Sequence, residues 1–192
     1  LRLLSEALLA PKTPEAAALW RPEDAAHRKR VVAAVRRAVQ KSPDGVVSTT
    51  RLSLRQLPRA LDARGLKAVV TAAVRHGLRH VEEILRDQPA DVRALGAPPY
   101  VRQAKVVLDA ADPAHPVSRG HGFVQMSSPG AALLALRVLT HWRPRLWREV
   151  ARDAYAAEAG RRRGAQDEFR AAAPLVEFAV DKASVLARRA QR

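Results

Sequence analysis

The densest chemistry in the chain lies in one octapeptide, Arg119-Gly120-His121-Gly122-Phe123-Val124-Gln125-Met126. In an extended strand successive side chains point to opposite faces. Arg119, His121 and Phe123 therefore fall on one side, and Gly120, Gly122, Val124 and Met126 on the other. Two flat rings beside a guanidinium suit stacking on splayed nucleobases and contact with phosphate. Taken alone, the same residues also fit a core Phe next to a glycine-marked bulge. The surrounding elements have to separate these readings.

The octapeptide resembles the longer ribonucleoprotein motif of the RNA-recognition-motif family: basic, Gly, aromatic, Gly or Ala, Phe, Val, any residue, aromatic. Six of the eight positions fit, and His121 and Met126 depart. Leu52-Ser53-Leu54-Arg55-Gln56-Leu57 occupies the place of the shorter motif, with Ser53 where an aromatic residue is usual. The resemblance implies RNA contacts at Arg119, His121, Phe123, Ser53, Arg55, Lys105 and Glu177. Glu177 and Ala179 of the last strand would face RNA while Val176 and Phe178 fill the core. A carboxylate at Glu177 repels phosphate but can accept a hydrogen bond from a base amino group. Arg161, Arg162 and Arg163 add a basic run suited to phosphate.

These residues need a sheet to hold them. Leu52, Leu54 and Leu57 alternate with polar residues, predicting a short half-buried strand stopped by Pro58. Asp62 is placed to cap a helix that buries Leu66, Val69, Val70, Ala73 and Val74 and ends near Gly77. A second helical stretch follows over 79–95. Val101 to Leu108 is β-branched and predicts a strand, and Gly120 to Met126 predicts another. Ser128 caps and Pro129 opens a helix running through Leu139. Residues 142–173 are expected to be helical in part. Pro174 to Val180 predicts the last strand, and Asp181 the cap of a basic terminal helix. This order predicts an α+β fold, the ferredoxin-like β-α-β-β-α-β sandwich with flanking and inserted helices, one sheet face covered and the other open.

Upstream, Pro11, Pro14 and Pro22 favour an extended linker. From Glu23 to Lys41 the spacing of Ala26, Val31, Val35 and Val39 predicts a helix, with Arg28, Lys29, Arg30, Arg36 and Arg37 on its other faces. The expected organisation is a basic helical flank over 1–47, the motif over 48–180 with insertions near 79–95 and 142–173, and a basic helix over 181–192. Leu1 stands where an initiator Met is absent, which suggests a piece of a longer chain.

The chain has 34 Lys plus Arg against 19 Asp plus Glu, a net charge of +15 over 192 residues, which points to a polyanionic partner. Twenty-eight of the cations are Arg, the residue that both forks to phosphate and stacks on bases. With no Cys, disulfides, thiolate metal sites and thiol nucleophiles are excluded. No apolar run approaches the roughly 20 residues needed to cross a bilayer, so no membrane is expected. No phosphate loop or catalytic constellation can be assembled, so neither catalytic residues nor a cofactor is expected. His76 and His80 have the spacing of a helical metal pair without a clear third ligand, so no metal site is expected. Trp20, Trp142 and Trp147 are expected to anchor packing rather than to stack on RNA.

A narrower resemblance spans most of the chain. Val47-Ser48-Thr49-Thr50-Arg51-Leu52 running into Leu57-Pro58, then Ala132 to Leu139, then Pro174-Leu175-Val176-Glu177-Phe178-Ala179 resemble the last RNA-recognition motif of a nucleolar family. That family contains RNA-binding motif protein twenty-eight and its fungal relative, nucleolar protein four. It implies a nucleolar assembly factor bound to large-subunit precursor ribosomal RNA among ribosomal proteins and other assembly factors. Ser53 and the length of 142–173 depart from the family. A motif whose face is covered by protein, and a messenger-RNA or splicing factor of the same fold, are the alternative readings.

Overall fold

A computed structural model describes residues 6, 11–19, 22–41, 44–95, 98–109, 117–154, 156 and 174–182. Its elements are α1 (Pro14–Leu19), α2 (Pro22–Lys41), β1 (Gly45–Arg55), α3 (Ala63–Leu78), α4 (Val81–Ile84) and α5 (Ala90–Arg93). They continue with β2 (Val101–Leu108), β3 (Ser118–Met126), α6 (Pro129–Arg137), a π-helical turn over Val138–Trp142, α7 (Leu146–Val150) and β4 (Leu175–Lys182). The strands form one antiparallel sheet in the order β2-β3-β1-β4. The fold is thus α+β, and β1 and β3 are its adjacent central strands.

The two helices packed on the sheet, α3 and α6, begin where the capping chemistry expects. The Gly65 backbone N–H donates to Asp62 Oδ1 at 2.7 Å, and the Ala131 N–H to Ser128 Oγ at 3.2 Å. Leu66, Val69, Val70, Ala73 and Val74 of α3, and the Ala and Leu residues of α6, pack onto Leu52, Leu54, Val124, Met126, Val176 and Phe178. This apolar layer covers one sheet face. It is tight at Gly122, where an added Cβ would come within 2.7 Å of the Lys105 carbonyl oxygen and 3.0 Å of Leu66 Cδ2.

Several expectations change. The proline-rich stretch is not extended throughout: Pro14 and Pro22 each sit in the first turn of a helix, where the missing N–H costs nothing. In α2 the inward stripe is Val32, Val35 and Val39, packed against Val47 and Val180, while Ala26 is exposed and Arg28 is buried. β1 starts earlier and ends at Arg55, because Gln56 turns the chain with φ +60°. The stretch 79–95 holds two single-turn helices rather than one continuous helix. α6 passes into a π-helical turn before Leu139. Asp181 does not cap a helix; it lies within β4, and its carboxylate pairs with Arg51. The proposed helix over 183–192 lies outside the described residues.

Candidate nucleic-acid interface

The sheet face turned away from the helices is built row by row. Cross-strand registers align Lys105 with Phe123, Phe123 with Ser53, and Ser53 with Glu177, so four side chains form one line across all four strands. The neighbouring rows put His121 beside Arg55 and Leu175, and Gln103 beside Gln125 and Arg51. Lys105, Phe123, Ser53, Glu177, His121 and Arg55 therefore share a face, as their spacing predicts.

Arg119 does not follow from the same alternation. Between the pairs Val106–Gly122 and Leu108–Ser118, two steps of β2 face four of β3, so β3 carries a bulge there. Gly120 sits in it with φ +74°, a conformation that favours glycine, and its carbonyl accepts from the Leu57 N–H at 2.9 Å. The bulge breaks the strict alternation on which the placing of Arg119 with His121, and of Gly120 toward the helices, was argued. Arg119 is exposed at the edge of the bulge.

On the β2–β3 side the rings are accessible. His121 and Phe123 are each half-buried and meet edge to face, with centroids 6.3 Å apart and planes at 85°. Lys105 is exposed beside them. Phe123 is not a core residue, so of the alternative left open by the octapeptide alone the glycine-marked bulge holds and the core Phe does not. Its ring also has a partner that sequence reasoning missed. The Arg51 guanidinium lies 4.2 Å over the ring centroid and is ion-paired with Asp181. The cross-strand register, invisible before the pairing is known, brings these three together.

On the β1–β4 side the face is closed except at Arg55, which is exposed. Ser53, Leu175, Glu177 and Ala179 are all under 8 % exposed, although they point away from the helical layer. Arg55 Nε donates to Glu177 Oε1 at 2.9 Å, while Glu177 Oε2 is buried without a hydrogen-bond partner among the described residues. Burial raises the pKa of this carboxyl against the lowering effect of Arg55. Ser53 and Glu177, both candidate RNA contacts, are thus in line with Phe123 but inaccessible from solvent.

Arg161, Arg162, Arg163 and Trp20 lie outside the described residues. Trp147 is buried in the core, and Trp142 packs partly against it, as anchors do. The rings of His76 and His80 are 5.0 Å apart, yet Arg143 lies 3.5 Å from His76 Nδ1, and burial followed by Arg143 lowers the His76 pKa. Among the described residues no group of three metal-ligating side chains is assembled.

A second polar cluster was not foreseen. Arg137, buried in α6, donates to Glu6, to Asp87 and to the Ile84 carbonyl at 2.8 Å. The arginine holds the Asp87 carboxyl well below the usual range. His141 Nε2 donates to the Glu6 carbonyl at 2.7 Å, and burial pushes its pKa down to about 3, so the ring stays neutral. The sequence signal was a lone Arg within an otherwise apolar helix. A cavity of about 430 Å³ opens beside the cluster, bordered by Lys12, Arg86 and Trp142. No helix among the described residues is long and apolar enough to cross a membrane. No family model matches the chain.

Proposed function

We propose that this chain is an RNA-binding module of the RNA-recognition-motif type, acting by binding rather than by catalysis. The fold reading is supported by the succession β1, α3, β2, β3, α6, β4, with short helices added between, and by the sheet order β2-β3-β1-β4. The observation that carries the function is the accessible pair His121 and Phe123 on a central strand, facing away from the helices with Lys105 directly across. Rings of this kind stack on unpaired bases, and a chain of net charge +15 draws the phosphate backbone toward them.

Following the family resemblance, the proposed target is large-subunit precursor ribosomal RNA in early nucleolar particles, in company with ribosomal proteins and other assembly factors. Crosslinking in cells, followed by sequencing of the attached RNA, tests this. Large-subunit precursor sequences are expected, together with nucleolar concentration of the tagged protein. Exclusive recovery of polyadenylated messenger RNA would replace the target with that of a messenger-RNA or splicing factor.

A second reading, the motif as a protein-packing module, is favoured by the burial of Ser53, Leu175, Glu177 and Ala179. It divides the face instead of abolishing the first reading: packing on β1–β4, RNA on β2–β3.

A further inference from the structure

We propose that Arg51 sets what the open half of the face accepts: with Asp181 it covers Phe123, and the ligand that displaces it best carries a base and an adjoining phosphate together. The inference rests on the single-stranded RNA reading.

The geometry is a three-part contact. Arg51 on β1 lies next to Gln125 of β3, and its guanidinium reaches over the neighbouring Phe123 ring, 4.2 Å from the centroid. A cation at that distance is attracted by the negative face of the ring. Asp181, opposite Val46 on β4, ion-pairs with the same guanidinium and so fixes it in place. A stacked base needs the ring face at van der Waals contact. Guanidinium and base cannot both occupy that face.

Binding is therefore an exchange. The base replaces Arg51 on the ring, and Arg51, until then held there by Asp181, is free to turn its fork to a second anion. A planar five-donor fork is matched well by a phosphate, which it can hold through two parallel hydrogen bonds. A nucleotide supplies both halves of the exchange. A nucleoside supplies the stack but no new anion for Arg51. A polyphosphate supplies the anion but leaves the ring bare.

The test titrates the full chain with a short single-stranded oligoribonucleotide of mixed sequence at fixed salt. Wild type is compared with Asp181→Asn, Phe123→Ala and the combination. Loosening the cover is expected to raise affinity by about two- to fivefold, the equivalent of a partly exposed cation–π contact. That gain should vanish when Phe123 is already Ala, because nothing is then left to uncover. Arg51→Lys, which keeps the charge but loses both the flat contact with the ring and the two-bond fork for phosphate, is expected to bind more weakly than Asp181→Asn.

A gain from Asp181→Asn that persists in Phe123→Ala would be a simple charge effect and would overturn the proposal. A loss of affinity in Asp181→Asn, or Arg51→Lys binding as tightly as Asp181→Asn, would overturn it as well. If wild type and variants bind no oligoribonucleotide, the RNA reading fails and takes the inference with it. Binding that depends on Phe123 without the gain sinks the inference alone.

Discussion

The two halves of the outer sheet face are joined by one row of residues and have opposite fates. On β2–β3, Lys105 is exposed and His121 and Phe123 are half-accessible. On β1–β4, Ser53 is 7 % exposed and Glu177 2 %. Strand alternation decides which face a side chain takes, but it is silent on whether that face meets water. What separates the halves is what they must do with charge. The open half can leave Lys105 solvated. The closed half has to balance Glu177, and among the described residues it does so by half: one oxygen bonds Arg55 and the other has no partner.

The largest effect that would sharpen this contrast comes from cutting the ion pair between Arg55 and Glu177. Arg55→Ala leaves the Glu177 carboxylate buried and unpaired. It is expected to cost about 1.5–3 kcal/mol, the range for hydrogen bonds to charged groups, measured as the shift in urea unfolding at neutral pH. An unchanged midpoint would mean that Glu177 is solvated and that the halves do not differ.

Phe123→Ala tests the open half by binding instead of stability. One stacked base is worth roughly 1–3 kcal/mol. Because Arg51 must first leave the ring, the loss in single-stranded RNA affinity is expected to stay at or below about 2 kcal/mol on that scale. The fold should tolerate the change, since the ring is not part of the apolar core. Unaltered RNA affinity would remove the open half as the binding surface.

Ser53→Tyr asks whether the shorter motif can be repaired. On an open sheet the new ring would add a stacking surface; on a closed one it has to be forced into filled space. Overpacking of a filled site costs about 1–3 kcal/mol, and the lower end is expected here because Ser53 lies next to the accessible Phe123. Tighter RNA binding without loss of stability would show that the closed half opens on binding.

Most of the frame was legible in the sequence. Val101 to Leu108, Asp62 and Ser128 were readable because β-branching and capping are local chemistry. The inward face shared by Leu52, Leu54, Val124 and Met126 was readable from their alternation. The misses were non-local. The bulge at Gly120 depends on the register against β2, and it undid the simple placement of Arg119. Arg51 over Phe123 depends on three strands lying side by side, and Arg137 on partners at Glu6 and Asp87, far away in sequence. The burial of Ser53 and Glu177 could not be read from alternation at all. A residue's face is a local property, and the cover on that face is a tertiary one.

The smallest expected effect bears on the unpartnered oxygen itself. In the folded chain the Glu177 pKa is raised above its ordinary value, chiefly by burial. Between the ordinary and the raised value the folded state binds more protons than the unfolded one, so stability contributed by this group falls as pH rises through that window. Above the window the charged carboxylate is a standing cost; below it, the proton removes the cost. Glu177→Gln has no such titration and keeps an oxygen to accept from Arg55. It is therefore expected to unfold at slightly higher urea than wild type at neutral pH, by less than about 1 kcal/mol. The difference should close as pH is lowered through the raised pKa, and both proteins then share the acid destabilisation that comes when Asp87, held low by Arg137, is finally protonated. A Gln variant less stable than wild type at neutral pH, by a margin that acid does not erase, would mean that Oε2 is satisfied in solution. The closed half would then be held by a complete ion-pair network, and its difference from the open half would lie in packing rather than in unbalanced charge.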